Sequence, residues 1–432
     1  MQILTRGVTS LVFSALLSAV MTGTAFAGAF ALREQSAAGQ GQAFAGAAAG
    51  SAFVGSMYWN PATMTDLDGL QFQLDLTGIL PYADITPSQG TSPTLLGLGG
   101  TGSTGDIAID AVLPTGYVSY QVNDQIWLGL ALNSPFGLTT KNPFNYAGQI
   151  YARTSEVRSY DINPTIAVKV NDWLSIGAGV EALYFKTRLT QAMSPYTNAA
   201  TASLEGDDWG IGYTLGFTVK PSDSTEIGVG YRSSVNLGLS GDLVLGAAKA
   251  PLPAGTYGID ATLHTPDQIT VGLKQKVSDR LTVNAGFEWT NWSRFGTIPV
   301  YGNAGLTNGM KLTDLAFEYQ DGYYVALGAE YQWTEQFTIR GGLGYEWSPI
   351  TTTNRDLRLP DSDRIHAALG GTYQINKSLA LDMAYEHIFP VGNGDIAITN
   401  GNPHYVSGLP FVGSVTSDVN IITLGLRYRF GG

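Results

Sequence analysis

The closing stretch of the chain, Val419 to Phe430, reads V-N-I-I-T-L-G-L-R-Y-R-F. Successive side chains of an extended strand point to opposite faces. One face here carries Ile422, Leu424, Leu426, Tyr428 and Phe430, and the other carries Ile421, Thr423, Gly425, Arg427 and Arg429. The first face is apolar to its end, while the second bears two arginines. A soluble sandwich would bury the apolar face and leave the arginines in water. A membrane barrel does the reverse, with apolar residues toward lipid and charges toward a wet lumen. The pattern recurs upstream. Phe337-Ile339-Gly341-Leu343-Tyr345-Trp347 alternates with Thr338-Arg340-Gly342-Gly344-Glu346, and Leu281-Val283-Ala285-Phe287-Trp289 with Thr282-Asn284-Gly286-Glu288.

Fourteen such segments are predicted, near 70–80, 109–122, 125–137, 157–170, 173–188, 207–220, 224–238, 260–277, 280–293, 319–333, 336–348, 363–375, 378–389 and 418–430. Many exceed about ten residues, the length a tilted strand needs to cross a bilayer. Their connections alternate without exception. Short polar turns (Asn123-Asp124, Asn171-Asp172, Pro221-Ser222-Asp223, Ser278-Asp279, Thr334-Glu335, Asn376-Lys377) interleave with long loops at 81–108, 138–156, 189–206, 239–259, 294–318, 349–362 and 390–417. An even strand number, short turns at one end and long loops at the other describe an antiparallel transmembrane β-barrel of fourteen strands, spanning 69–432. Tandem sandwiches have no reason to keep that order. The last strand is expected to close on the first around Phe72, Leu74 and Leu76, with Arg427 and Arg429 in the lumen. Trp127, Trp173 and Trp333 lie by the short turns, and Trp289, Trp292 and Trp347 near the long loops, as two interfacial girdles would require.

Residues 28–68 break the pattern. They are rich in Ala, Gly, Ser and Gln, yet hold the apolar cluster Phe53, Met57, Tyr58, Trp59 and Met64, which does not suit a solvated tail. A hatch folded into the lumen as a plug is the expectation. Asn60-Pro61 favours a turn within it. Residues 1–27, with Arg6, an apolar Val8–Val20 and a small-residue Ala25-Phe26-Ala27 site, read as a secretory signal peptide. Composition fits an exported barrel: 44% hydrophobic, 13% charged, 54 glycines and no cysteine. The net charge of −12 argues against a nucleic-acid partner, which needs a basic footprint. No apolar run of 18 follows the signal, so no spanning helix is expected. The four histidines, His264, His366, His387 and His404, lack metal-ligand spacing. No GxSxG elbow occurs, and GLGGTG at 97–102 lacks a following GK[ST]. No enzyme, metal or cofactor is expected.

Several stretches resemble the FadL family of outer-membrane transporters for long-chain fatty acids and other hydrophobic compounds. They are GAFALREQSAAGQGQAFAG followed by Asn60-Pro61-Ala62, NSPFGL at 133–138, DDWGIGYTLGF at 207–217, YRSSV at 231–235, EWTNWSRF at 288–295 and SPITTTNRDLRLPDSDR at 348–364. The resemblance implies a bacterial outer-membrane location and a hatch carrying Asn60, Pro61 and Ala62. It also implies capture of a hydrophobic ligand by extracellular loops and exit through a lateral gap in the barrel wall. Ser134-Pro135-Phe136-Gly137 gives the gap a place, since proline cannot donate to a ladder and glycine marks bulges. The alternative is a third strand that ends before Pro135. Pro114 and Pro164 fall on facing segments.

Fatty-acid members of the family use a serine in the third strand and an arginine at the top of the fifth. Ser134 matches the serine. Gln191 stands at the arginine position, with Lys186 and Arg188 just before it. Ser134, Phe136, Lys186, Arg188 and Gln191 are therefore the candidate ligand-binding residues, and Ser134, Pro135 and Gly137 the candidate gate. Long-chain fatty acids are the first substrate expectation. An aromatic-hydrocarbon channel and a general diffusion porin are the alternatives. Apolar loop residues (Leu95, Leu96, Leu98, Phe144, Tyr146, Ile150, Tyr151, Phe411, Val412) form either a first binding groove or a lid. The expected partners are the small-molecule ligand, outer-membrane lipid and, during biogenesis, barrel-insertion machinery. The expected state is a monomer.

Overall fold

The computed structural model describes residues 28–50, 53–99, 102–392 and 394–431, so the signal-peptide expectation lies outside the described residues. Fourteen antiparallel strands make the wall: β1 (Leu70–Pro87), β2 (Ala111–Gln121), β3 (Ile126–Asn133, resuming as Gly137–Lys141), β4 (Thr154–Lys169), β5 (Leu174–Ala192), β6 (Thr201–Ser222), β7 (Thr225–Arg232, resuming as Asn236–Leu245), β8 (Gly255–His264, resuming as Gln268–Lys276), β9 (Leu281–Thr290), β10 (Gly322–Gln332), β11 (Phe337–Trp347), β12 (Arg364–Gln374), β13 (Leu379–Pro390) and β14 (Phe411–Phe430). Each pairs with its neighbours in sequence, and β14 closes on β1 with Leu74 opposite Leu426 and Phe72 opposite Tyr428. A hairpin (Thr297–Gly302 and Lys311–Ala316) and the short strand Gly394–Ile398 extend the wall beyond the loop-side rim.

Five of the six short turns share one device. Asn123 Oδ1 accepts from the N–H groups of Gln125 and Ile126, Asn171 Oδ1 from Trp173 and Leu174, and Asn376 Oδ1 from Ser378 and Leu379. Ser278 and Thr334 do the same with their hydroxyls. A short polar side chain thus stands in for a backbone turn, which is why Asn, Ser or Thr opens these turns. At the other end several strands run further than the alternation foretold. β1 reaches Pro87, β6 starts at Thr201 and β14 at Phe411. Above the lipid band the outward face turns polar, so the alternation fades while the pairing continues. Within the band, Leu343, Leu369 and Ile211 stay 63%, 67% and 69% exposed, as lipid-facing residues do.

The segment before β1 fills the lumen as a plug. Phe53, Met57, Asn60 and Met64 are all buried. The chain descends through a short helix, Ala37–Gln40, and three 3-10 turns, the last being Pro61–Asp66. Asn60 caps that last turn by accepting from Ala62 N–H, and its amide donates to Ala48 O (2.7 Å) and to Phe217 O on β6 (2.9 Å). The plug backbone lies directly on inward-facing glycines of successive strands. A side chain at Gly228 or Gly230 would strike the carbonyl oxygens of Ala48 and Trp59. A Cβ at Gly177 or Gly272 would come within 2.6 Å of Ala62 N and Ala49 N, and at Gly328 within 2.8 Å of Gln42 O. Two expected girdle tryptophans belong to the interior instead. Trp127 is buried and donates to Leu67 O (2.7 Å), and Trp292 is buried among aromatics. Proximity to a turn does not distinguish inward from outward, whereas strand parity does.

Candidate functional site: an apolar cavity beside a break in the wall

The lumen changes character with height. Near the short turns its lining is polar: Gln73, Asp75 and Thr77 on β1, Asp161 and Asn163 on β4, Glu181 on β5, Thr423 on β14, all buried. Ion pairs tie this lining to the plug. Arg33 reaches Glu288 (2.7 Å) and Glu346 (3.0 Å) and lies over the Tyr324 ring. Arg232 pairs with Glu181 (2.8 Å) and Asp161 (3.3 Å), donates to Tyr58 O and covers the Tyr58 ring. Toward the loops the same inward positions become Ile79 and Ile85, Val157, Leu183 and Phe185, and Val419 and Ile421.

In this upper half lies a cavity of about 60 Å³. Its lining includes Phe30 from the plug, Val157, Phe185, Leu189, Leu239, Ile259, Leu263, Phe295 and Ile298, with Asp356 and Arg358 as the charged members. On the measure that counts ~10–15 Å³ per water, that space holds a few waters. Asp356 is engaged with its own loop, accepting from the N–H groups of Arg358 and Leu359. The Arg358 guanidinium donates to Gln191 Oε1 (2.7 Å) and Thr190 O (3.3 Å). Burial lowers its pKa from the ordinary arginine value, and Asp356 nearby acts in the opposite sense. An arginine stays protonated through such a shift.

Beside the cavity the wall is incomplete. β3 stops at Asn133 and resumes at Gly137, and its pairing with β2 covers only Gly116–Gln121, so Ala111–Thr115 of β2 face no β3 partner. The displaced residues bend inward and pair with the start of the plug. Leu32 N–H donates to Pro135 O (2.8 Å), Gly137 N–H to Phe30 O (2.9 Å), and Gln35 Nε2 to Ser134 O (3.1 Å). Ser159 on β4 completes the bend by accepting from Phe136 N–H and donating to Phe136 O. A second small cavity, about 50 Å³, occupies the break between Ile79, Leu113, Pro114, Ser134, Gly137 and Tyr160. Val157 borders both cavities. Between them stand Phe30 and Phe136, ring centroids 6.0 Å apart, with Trp292 4.7 Å from Phe30.

Residues 18–430 match the family described as outer membrane protein transport protein (OMPP1/FadL/TodX). The chain belongs to this family. A long-chain fatty acid transport protein of Escherichia coli is 27% identical over 407 residues, covering 86% of this chain and 89% of that one. Outer membrane protein P1 of Haemophilus influenzae is 28% identical, over 88% of this chain and 89% of its own. Two solved structures share the fold. A FadL homologue of Pseudomonas aeruginosa has a TM-score of 0.82 at 23% identity, over 93% of this chain and all (100%) of that one. The toluene transporter TbuX of Ralstonia pickettii has a TM-score of 0.68 at 19% identity, over 90% and 97%. The protein is therefore a bacterial outer-membrane β-barrel that transports hydrophobic compounds, a channel and not an enzyme.

Against this FadL-type architecture the candidate residues sort clearly. Ser134 lines the break, and Phe136 lies between break and cavity. Pro135 and Gly137 bond to the plug. Asn60, Pro61 and Ala62 sit deep in the lumen against β5 and β6. Gln191 faces inward and holds Arg358. Lys186 and Arg188 do not face the lumen. They lie on the outer side of β5 and pair with Glu205 on β6, at 2.6 and 3.7 Å. Their parity is that of Tyr184, and the parity of Phe185 and Leu189 is the inward one. Among the loop residues, Leu95, Tyr146, Ile150, Tyr151 and Phe411 are buried as a lid, while Phe144 is exposed. Arg358 went unrecognised because it sits in a loop, where alternation carries no information. The SPITTTNRDLRLPDSDR string was its one signal.

Proposed function

We propose that the protein carries long-chain fatty acids across the outer membrane. The ligand is captured at the loop side, held in the apolar cavity, and released sideways through the break at Ser134–Gly137. The observation that supports this reading is the adjacency of cavity and break, with plug residues 30–32 closing the way between them. For an apolar solute, an aqueous exit would return each methylene to water at ~0.8 kcal/mol. A lateral exit delivers it to the hydrocarbon directly. In this reading the first residues of the hatch are the moving part, because ligand filling the cavity displaces Phe30, and Phe30 is backbone-bonded to Gly137.

Ala31 and Phe136 face each other as a non-hydrogen-bonded antiparallel pair, flanked by the Leu32–Pro135 and Phe30–Gly137 bonds. Such pairs have the closest Cα separation in a ladder, which suits a disulfide. In this cysteine-free chain, Ala31→Cys with Phe136→Cys, oxidised, should stop uptake of radiolabelled fatty acid by whole cells, and reduction should restore it. Full uptake by the verified cross-linked form would rule out exit by this route.

A further inference from the structure

The one cationic member of the cavity lining has no carboxylate partner among the described residues. Arg358 has two partners for its guanidinium among the described residues, a backbone carbonyl and the neutral amide of Gln191. A guanidinium carries five N–H donors. None of the described carboxylates lies within ion-pairing distance of it, and the nearby Asp356 is turned to its own backbone. Two arginines that touch the plug are arranged differently. Arg33 and Arg232 each have two carboxylates. Arg153 is absorbed by Gln149, Thr201 and a backbone carbonyl. Arg358 is thus a positive charge at a largely apolar cavity, with no described carboxylate within ion-pairing distance, aimed by a side chain that cannot neutralise it.

Filling such a cavity strips water from its lining. A neutral hydrocarbon would leave the guanidinium desolvated with donors unmet, which is costly. A carboxylate would supply two acceptor oxygens in the geometry a guanidinium matches. We propose that Arg358 is the anchor for the ligand's carboxylate, held in position by Gln191, so that this cavity selects long-chain carboxylates over neutral molecules of equal length. The inference rests on the cavity being the ligand site, as argued above. It assigns to a loop arginine, paired with Gln191 of β5, the discrimination that β5 itself does not supply.

The test compares hexadecanoate with hexadecanol, equal in chain length and differing in charge. Calorimetric titration of purified full-length protein in micelles, at about pH 8 where the acid is ionised, should show hexadecanoate bound more tightly. Arg358→Gln should weaken hexadecanoate binding ~10- to 100-fold, the range for losing a charge-assisted pair, and leave hexadecanol within about threefold. Arg358→Lys should recover part of the loss. Gln191→Glu places an internal carboxylate against Arg358 and should abolish the preference while hexadecanol still binds. Retained hexadecanol binding serves as the folding control. An unchanged hexadecanoate-to-hexadecanol ratio in both Arg358→Gln and Gln191→Glu would overturn the anchor and leave the apolar site standing. Failure of the wild-type protein to bind either ligand would overturn the transport reading as well.

Discussion

The two halves of the lumen are built from the same strands by opposite rules. On β5 the inward positions read Ser175, Gly177, Gly179 and Glu181, then Leu183, Phe185, Thr187, Leu189 and Gln191. On β1 they read Gln73, Asp75 and Thr77, then Ile79, Ala83 and Ile85. Parity never changes, but the chemistry flips at one height. Below that height the lumen is polar, and glycines let the plug backbone rest against the wall. Above it the lumen is mostly apolar, lined by larger side chains. The lower half is a seat and the upper half a compartment. A single pattern, apolar out and polar in, describes only the lower half, and it misplaces Lys186 and Arg188, which belong to the upper one.

The seat can be broken outright. Gly230→Leu drives a side chain into Trp59 O and should unseat the plug, giving steady ion conductance in planar bilayers where the wild type gives little. Gly341→Ala, whose added Cβ would meet Leu369 at an ordinary 3.5 Å, should leave conductance unchanged. If both behave alike, the glycine seat is unimportant. The compartment is next. Leu263→Asp sets an unpaired charge among apolar side chains, and should abolish hexadecanoate binding while the barrel still folds and inserts. Retained binding would mean that ligand sits elsewhere. Asn60→Ala removes the hydrogen bonds that fasten the last turn of the plug. A cost of ~1–3 kcal/mol follows from leaving buried carbonyls unmet. Hydrogen exchange in 53–66 should quicken accordingly while exchange around 28–36 does not.

The smallest effect concerns pH. Glu34, in the plug, is buried, and burial first, then Glu386, raises its pKa from 4.5 to about 7. The seated plug therefore holds a proton that a solvated carboxyl would release. Seating is firmest below pH 4.5 and weakens as pH rises through about 7. Glu34→Gln should flatten the pH dependence of plug amide exchange across that window. An undiminished dependence would assign it to another group.

Much of this was legible in the residues. Alternation and the Asn, Ser and Thr turn openers gave the strand number and order, because both effects are local. Ser134-Pro135-Phe136-Gly137 announced the break for the same reason, since a missing donor is a property of one residue. The glycine seat was written in part as Gly286 and Gly342 on the inward face, but its meaning depends on a plug that arrives from far away in sequence. The cavity was hidden further. It is assembled from eight elements and a loop, and nothing local marks Arg358 as different from Arg355, whose guanidinium is spent on the carbonyls of Asp361 and Asp395.

One feature of the pairing bears on how the wall responds to load. The seam where the two ends of the barrel meet, β1 with β14, is laced over 18 positions from Leu70 to Pro87. The internal seam between β2 and β3 is laced over six, Gly116 to Gln121. A ring under tension parts at its shortest joint, and that joint is not the one where the two ends of the chain meet. The closure at the termini is laced along its whole length, and the sparse pairing lies apart from it, beside Pro135.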